Sequence, residues 1–294
     1  MDTRTAHLVG RFAPSPTGPL HFGSLTLALA SYLSVKAKGG QWLVRMEDLD
    51  PPREQPGAKQ LILEQLSAHG LKSDLPVTYQ SERLEHYHSA LDALRQRSLI
   101  YPCDCPRKRL PRHYPGFCRS RSESDPTLET YALRYRIQRD QITHADAHLG
   151  ERTWKMGSSL GDFIVQRRDQ LIAYQLAVVH DDIEQGVTEV VRGSDLIDST
   201  PYQLELYQAL NHVPPMFWHF PVVLGNDGVK LSKQTAAQSV DVSTPADNLK
   251  RALRFLGQSS PDSKETNTIL QSAVTAWQPA LVPKLMGRSL QRSQ

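Results

Sequence analysis

A proline- and glycine-rich turn near the N-terminus constrains the fold of this chain more than any other segment. Residues 11–24 read Arg-Phe-Ala-Pro-Ser-Pro-Thr-Gly-Pro-Leu-His-Phe-Gly-Ser, after a short apolar start and before leucines at helical spacing. The pattern predicts a strand, a rigid turn and then a helix. Gly23 and Ser24 fall in the first helical turn, where backbone N–H groups and the helix dipole favour an anion. His21 adds a donor there, so the turn is typical of a phosphate site.

A lysine-rich segment far downstream supplies a second pattern. Residues 230–234 read Lys-Leu-Ser-Lys-Gln and follow the turn-forming residues Gly-Asn-Asp-Gly at 225–228. A His-x-Gly turn and a distant Lys-x-Ser-Lys loop together indicate a site that holds a nucleoside triphosphate. Neither is a phosphate loop of the Gly-Lys-Ser/Thr type.

Alternating strand and helix patterns place the chain in the α/β class. Strands are predicted at 41–46, 131–137, 162–165 and 187–191, and helices at 58–71, 82–97 and 201–210. From 101 to about 125 the composition shifts to Cys, Pro, Arg and Ser, which marks an inserted module. The order βαβα, insertion, βα predicts a doubly wound parallel sheet that is split by the insert.

The two loops resemble the HIGH and KMSKS motifs of class I aminoacyl-tRNA synthetases, and the lead-in Arg-Phe-Ala-Pro-Ser-Pro-Thr-Gly is similar to that of the glutamyl branch. The resemblance runs from about 10 to 234 and implies a Rossmann-like catalytic fold. It assigns catalysis to His21, Lys230 and Lys233. It assigns the binding of ATP, which is expected to carry Mg²⁺, to His21, Gly23, Ser24 and Lys233. Phe22 and Ser24 depart from the first motif, and Leu231 and Gln234 depart from the second.

An acidic amino acid is the substrate that the resemblance implies. Planar arginine groups suit its two carboxylates, and a carboxylate suits its ammonium. By resemblance, Glu47 holds the ammonium, while Arg11, Tyr174 and Arg192 hold the carboxylates and Ser15 touches the substrate from the turn. The alternative is that Arg11 and Glu47 form a structural ion pair and that Tyr174 is a core tyrosine.

Three cysteines, at 103, 105 and 118, indicate a zinc site in the insertion, because structural zinc takes four N, S or O ligands. His113 would be the ordinary fourth ligand. The resemblance instead selects Tyr114, with Cys103, Cys105 and Cys118. Such a Zn²⁺ would brace the basic segment around it, whose cations could face RNA phosphates or water. The alternative is three thiols without a metal.

The implied activity is ATP-dependent activation of L-glutamate without tRNA, followed by transfer to the queuosine at the wobble position of tRNA(Asp). That acceptor follows from the expectation that no anticodon-binding domain is present. Three alternatives are a truncated enzyme that charges the 3′ end of tRNA(Glu), a non-catalytic tRNA-binding paralogue, and another class I-like enzyme that adenylates a small acid. Exchange of pyrophosphate with glutamate, and the position of glutamate on the tRNA, distinguish these possibilities.

Composition sets the remaining expectations. The hydrophobic share of 39%, the charged share of 22% and the net charge of +3 are ordinary for a soluble enzyme, and permit a polyanionic partner without requiring one. No apolar stretch reaches the ~18 residues of a membrane span, no secretory signal is visible and an odd number of cysteines argues against disulfides, so a cytoplasmic location is expected. The chain is also expected to be a monomer. The predicted domains are the first catalytic half at 1–100, the zinc-bearing insertion with the acceptor contact at 101–173, the second catalytic half at 174–238 and a short helical stem-contact-like domain at 239–294.

Overall fold

A five-stranded parallel sheet organises the chain in the computed structural model, which describes residues 8–225, 228 and 238–289, with the backbone alone at Arg107. In chain order its strands are β1 (Val9–Phe12), β2 (Gln41–Met46), β3 (Thr78–Tyr79), β9 (Glu189–Gly193) and β10 (Met216–Phe220). Their order across the sheet is β10-β9-β1-β2-β3. All four neighbouring pairs are parallel, which confirms the predicted α/β class with a parallel sheet.

Helices cover both faces of this sheet. Those that precede residue 100 are α1 (Phe22–Lys36), α2 (Ala58–Ala68) and α3 (Leu84–Gln96). Those that follow are α4 (Tyr174–Glu184), α5 (Thr200–Ala209), α6 (Pro245–Phe255) and α7 (Thr266–Ala276). One apolar cluster joins α1, α2, α6 and α7 to one face, and a second joins α3, α4 and α5 to the other. The chain therefore winds on both faces, as the order of predicted elements indicates.

Close contact between β1 and α1 fixes the start of the phosphate turn. A Cβ on Gly10 would lie 2.3 Å from a methyl carbon of Val35, so only glycine lets the helix approach the strand this closely. Helix α1 is apolar around most of its circumference, because the sheet lies on one side and α6 and α7 lie on the other. Leu25, Leu29 and Leu33 are fully buried in it.

Antiparallel strands lie between β3 and β9 in the chain. They are β4 (Ile100–Cys103), β5 (Ala132–Tyr135), β6 (Gln141–Asp146), β7 (Gly150–Lys155) and β8 (Phe163–Gln166). They form a three-stranded sheet of order β4-β5-β8 and a separate hairpin of β6 and β7. Strand β8 leads directly into α4, so this segment contributes to one wall of the cavity at the end of the parallel sheet.

The residues after 238 pack against α1. Leu249 and Leu253 of α6 and Ile269 of α7 are fully buried in the same apolar cluster as α1. A short parallel pair, β11 (Val222–Leu224) with β12 (Gly287–Ser289), ties the end of the described chain to the end of β10. None of the helices within the described ranges has the length and apolarity needed to cross a bilayer.

Candidate active site

A cavity of about 700 Å³ opens at the carboxyl ends of β1 and β9. The strand order reverses between these two strands, and open α/β sheets place their ligands at such a point. The five side chains that the sequence analysis assigned to the amino acid all line it: Arg11, Ser15, Glu47, Tyr174 and Arg192. The structure therefore brings together residues from four separate segments, although their roles stay predictions.

The phosphate turn lies at the rim of this cavity. His21 caps α1, with its Nδ1 accepting from the backbone N–H of Ser24 at 3.3 Å and its Nε2 lying 3.0 Å from the Ser24 hydroxyl oxygen. Because Nδ1 accepts, the proton lies on Nε2. A Cβ on Gly23 would lie 3.1 Å from the imidazole, so glycine leaves the ring room to fold over the helix start. Lys230 and Lys233 lie outside the described residues.

Arg11 takes its carboxylate partner from α4. Its Nε lies 3.2 Å from Asp182 Oδ1, and Arg45 binds the same oxygen at 2.5 Å. All three side chains are buried. Although burial opposes it, the pairing with the two arginines lowers the pKa of Asp182. Within the described chain, the ion pair of Arg11 is thus with Asp182 and not with Glu47.

Glu47 follows β2 and stands half-buried on the cavity wall. Burial raises the pKa of its carboxyl to about 7, against the opposing attraction of Arg45 and Arg11 and with added repulsion from Asp182 and Asp181. A cation placed beside Glu47 would reverse this shift, because it favours the ionised form. The carboxyl is therefore suited to receive a ligand's ammonium.

Arg192 is a buried cation held by neutral groups. Its guanidinium donates to Gln203 Oε1 at 2.7 Å, His219 Nε2 at 2.8 Å and Thr200 Oγ1 at 3.0 Å, and lies 4.8 Å from the centre of the Phe217 ring. Burial lowers its pKa. No carboxylate forms an ion pair with Arg192 among the described residues, so an acidic ligand in the cavity would supply the missing negative charge.

Tyr174 begins α4 and faces the same space. Its exposed fraction of 36% separates it from the core tyrosines, which are nearly inaccessible. Desolvation by the surrounding cavity walls and the nearby charge of Glu47 raise the pKa of Tyr174, so the phenol stays protonated and can donate to a carboxylate.

Sequence reasoning missed the residues that hold these side chains in place, chiefly Asp182, Arg45, Gln203 and His219. A usable signal exists for Asp182. It belongs to an Asp-Asp pair that follows the apolar run Leu-Ala-Val-Val at 176–179 in the same helix, and aspartates are almost never fully buried unless they are paired. The partners themselves come from distant strands, so no spacing in the sequence identifies them.

The three cysteines converge in the antiparallel part of the chain. Their sulfur atoms lie within 4.8 Å of one another, with Cys105 and Cys118 at 3.4 Å. The hydroxyl oxygen of Tyr114 lies 3.6 Å from the sulfur of Cys103 and 3.7 Å from that of Cys105. Such a group of thiols can hold a metal ion.

The surroundings of Tyr114 differ from those of His113, the alternative fourth ligand. The Tyr114 ring is buried under the guanidinium of Arg134, whose carbon lies 4.1 Å from the ring centre. Although burial opposes it, hydrogen bonds from Tyr114 and Arg134 lower the pKa of Cys103. His113 is not part of the ligand cluster formed by the described residues.

Comparisons with known proteins identify the family of this chain. A family model described as tRNA synthetases class I (E and Q), catalytic domain, matches residues 7–271. A protein named Glutamyl-Q tRNA(Asp) synthetase from Pseudomonas aeruginosa is 45% identical over 286 residues, which cover 95% of this chain and 97% of the relative. One of the same name from Vibrio parahaemolyticus is 46% identical over 284 residues, or 95% of each chain.

A solved structure supports the fold. The glutamate tRNA ligase from Elizabethkingia meningosepticum, crystallised with its amino acid, superposes with a TM-score of 0.81 at 24% identity, over 97% of this chain and 67% of that one. The family match over residues 7–271 shows that the chain belongs to the class I tRNA synthetases for glutamate and glutamine (E and Q) and contains their catalytic domain.

Proposed function

We propose that this protein activates L-glutamate with ATP in the absence of tRNA and transfers the glutamyl group to the queuosine at the wobble position of tRNA(Asp). The observation that carries the amino-acid part is the convergence of Arg11, Arg192 and Glu47 on one cavity beside the phosphate turn. The relatives named Glutamyl-Q tRNA(Asp) synthetase support the acceptor part.

The charges of the cavity match those of glutamate. Arg192 has neutral partners among the described residues, so a ligand carboxylate would be its counterion. Arg11 adds a second guanidinium, and the protonated hydroxyl of Tyr174 adds a donor. Glu47, with its raised pKa, would ionise fully when the ligand's ammonium lies beside it. Glutamine would leave one carboxylate position without negative charge, so the cavity favours the acid over the amide.

In the proposed reaction, an α-carboxylate oxygen of glutamate attacks the α-phosphorus of ATP, and pyrophosphate leaves as the bond to its bridging oxygen breaks. His21, Lys230 and Lys233 would stabilise the developing charge on the phosphates. Backbone N–H groups near Gly23 and the hydroxyl of Ser24 would bind phosphate oxygens. Mg²⁺ entering with ATP would neutralise part of the triphosphate charge. In the second step a hydroxyl of the queuosine diol attacks the glutamyl carbonyl, and AMP leaves.

The proposed zinc site consists of Cys103, Cys105, Tyr114 and Cys118. A tetrahedral Zn²⁺ with Zn–S bonds of about 2.3 Å and a Zn–O bond of about 2.0 Å separates its sulfurs by ~3.8 Å and its sulfur and oxygen by ~3.5 Å. The observed sulfur–oxygen distances of 3.6 and 3.7 Å are close to this geometry, while the 3.4 Å between the sulfurs of Cys105 and Cys118 is shorter than the value for a bound ion. The ion would make the phenol acidic enough to ligate, and its role would be to brace the insertion.

We also propose that the chain comprises catalytic halves at 1–100 and 174–238, an insertion at 101–173 that contacts the acceptor, and a helical stem-contact-like region at 239–294. A monomer acting in the cytoplasm, where ATP and tRNA are available, would suffice for the two steps. Size-exclusion chromatography with light scattering tests the oligomeric state.

Exchange of labelled pyrophosphate into ATP, measured with each amino acid and without tRNA, tests the first step. Exchange should require L-glutamate and be lost in Arg192→Ala. Absence of exchange with glutamate would favour the non-catalytic alternative. For the second step, anticodon-selective cleavage of the labelled product locates the glutamate. A product confined to the 3′ end would overturn the queuosine acceptor.

A further inference from the structure

We infer that Asp146 and His219 form a positioning pair that fixes the guanidinium of Arg192 and thereby sets the affinity of the cavity for glutamate. Neither residue lines the cavity, so both act through Arg192. This inference rests on the proposed function, because it assigns the pair to the binding of a substrate carboxylate.

The three side chains form one buried chain of hydrogen bonds. Arg192 Nε donates to His219 Nε2 at 2.8 Å, and His219 Nδ1 lies 2.6 Å from Asp146 Oδ2. His219 is fully inaccessible, and Asp146 is buried as well. The chain crosses three elements, since Asp146 ends β6, Arg192 belongs to β9 and His219 belongs to β10. A hairpin of the inserted segment thus supports a strand of the parallel sheet.

The proton positions in this chain follow from chemistry. An arginine side chain can only donate hydrogen bonds, so His219 Nε2 must accept. The ring proton then lies on Nδ1, and Asp146 accepts it. Burial lowers the pKa of His219, which keeps the ring neutral. The inverted tautomer would point an N–H at the Nε–H of Arg192 and break the contact.

Asp146 can enforce this tautomer because its other oxygen is already fixed. Oδ1 accepts from the backbone N–H groups of Leu149 at 2.8 Å, His148 at 3.0 Å and His219 at 3.3 Å. These donors hold the carboxylate in one orientation, with Oδ2 towards the imidazole. In Asp146→Asn the same donors would keep the amide oxygen, so the amide N–H₂ would face Nδ1. It would donate to Nδ1 and invert the tautomer of His219.

A set of variants separates positioning from simple support of the fold. His219→Gln carries an amide oxygen near the position of Nε2 and can still accept from Arg192. His219→Asn reaches only the position of Nδ1 and cannot. His148→Asn is the matched control, because His148 is also a buried histidine but bonds to the Pro283 carbonyl instead of Arg192. Pyrophosphate exchange without tRNA gives KM for glutamate and for ATP in each variant.

We expect His219→Asn and Asp146→Asn each to raise the KM for glutamate about tenfold or more, the effect of losing a hydrogen bond to a charged group. KM for ATP should stay within about twofold in both. His219→Gln and His148→Asn should remain near wild type for both substrates. In the His219→Gln background, Asp146→Asn should add no further loss, because glutamine has no tautomer to invert.

Two results would overturn the inference. One is a glutamate KM unchanged in both single asparagine variants. The other is an equal rise in the glutamate KM when Asp146→Asn is introduced into the wild type and into His219→Gln. Asp146 would then only stabilise the turn that follows β6. If thermal melting shows that His219→Asn does not fold, the inference is still tested by comparing the effect of Asp146→Asn on the glutamate KM in the wild type and in His219→Gln. Failure of the proposed function gives a different outcome, since wild-type protein would then show no glutamate-dependent exchange.

Discussion

The raised pKa of Glu47 gives a quantitative test of how the cavity binds its substrate. Burial raises this pKa to about 7 in the protein without ligand. If the ionised carboxylate is needed to hold the substrate ammonium, protonation competes with glutamate. The apparent KM for glutamate should then scale with the fraction of Glu47 that is ionised. It should be about 11 times its limiting value at pH 6, about twice at pH 7 and close to it at pH 8.

The assay is pyrophosphate exchange at saturating ATP between pH 6 and pH 8. KM for glutamate should rise about tenfold from pH 8 to pH 6. The maximal rate should not follow the same curve, because the bound ammonium lowers the pKa of Glu47 below this range. Glu47→Gln is the control. It should bind glutamate ~10–100-fold more weakly, and its KM should be flat with pH.

A KM for glutamate that is constant from pH 6 to pH 8 in the wild type would refute the reasoning. So would a curve of the same shape in Glu47→Gln, because another group would then be titrating. Either result would remove the assignment of Glu47 to the ammonium.

The same carboxyl has a consequence for stability. Its pKa is about 7 in the folded state and near 4.5 in the unfolded state, so the folded protein binds the extra proton. The stabilisation from this proton is complete below pH 4.5 and is lost as pH rises through 7. Glu47→Gln should therefore stabilise the protein by roughly 2 kcal/mol more at pH 8 than at pH 5, after allowance for partial exposure. Urea unfolding at both pH values measures the difference.

Three further predictions concern packing and metal. Elemental analysis should find about one zinc per chain, reduced in Tyr114→Phe and retained in His113→Ala; equal zinc in both would exclude the phenol as ligand. Gly161→Ala would place a Cβ 2.5 Å from the backbone nitrogen of Tyr114 and should destabilise the protein by ~1–3 kcal/mol, with an unchanged melting temperature contradicting the contact. Leu253→Ala removes a fully buried side chain of α6 and should cost ~2–5 kcal/mol in urea unfolding, whereas a loss below ~0.5 kcal/mol would mean that α6 is not packed on α1 in solution.

Strong local patterns predicted much of the parallel domain. The strand predicted at 41–46 has the same bounds as β2. The helix predicted at 58–71 begins where α2 begins and ends three residues after it. The antiparallel strands were harder. The β6–β7 hairpin was not predicted, because the side chains of β7 are exposed except for Trp154 and so lack a clear apolar alternation. Strand β4 was hidden by the proline and cysteine content of the segment around it.

The candidate site likewise contains residues that the sequence predicts and residues that it does not. Arg11, Glu47, Tyr174 and Arg192 could be selected from sequence because a family resemblance joined four short motifs, which no spacing along the chain does by itself. The buried groups behind them could not be selected. Asp182 and His219 act through contacts with remote strands, and only the folded chain reveals which charge each one meets.

The bond between Arg11 and Asp182 joins positions that are 171 residues apart. During synthesis Arg11 emerges from the ribosome long before Asp182. Contacts between such distant positions form late because the intervening chain must first close into a loop. A nascent chain that carries only the first half of the parallel sheet thus has no finished cavity. It should be inert towards the amino acid until both α4 and β9, which carries Arg192, have emerged, so shorter translation intermediates would not consume ATP.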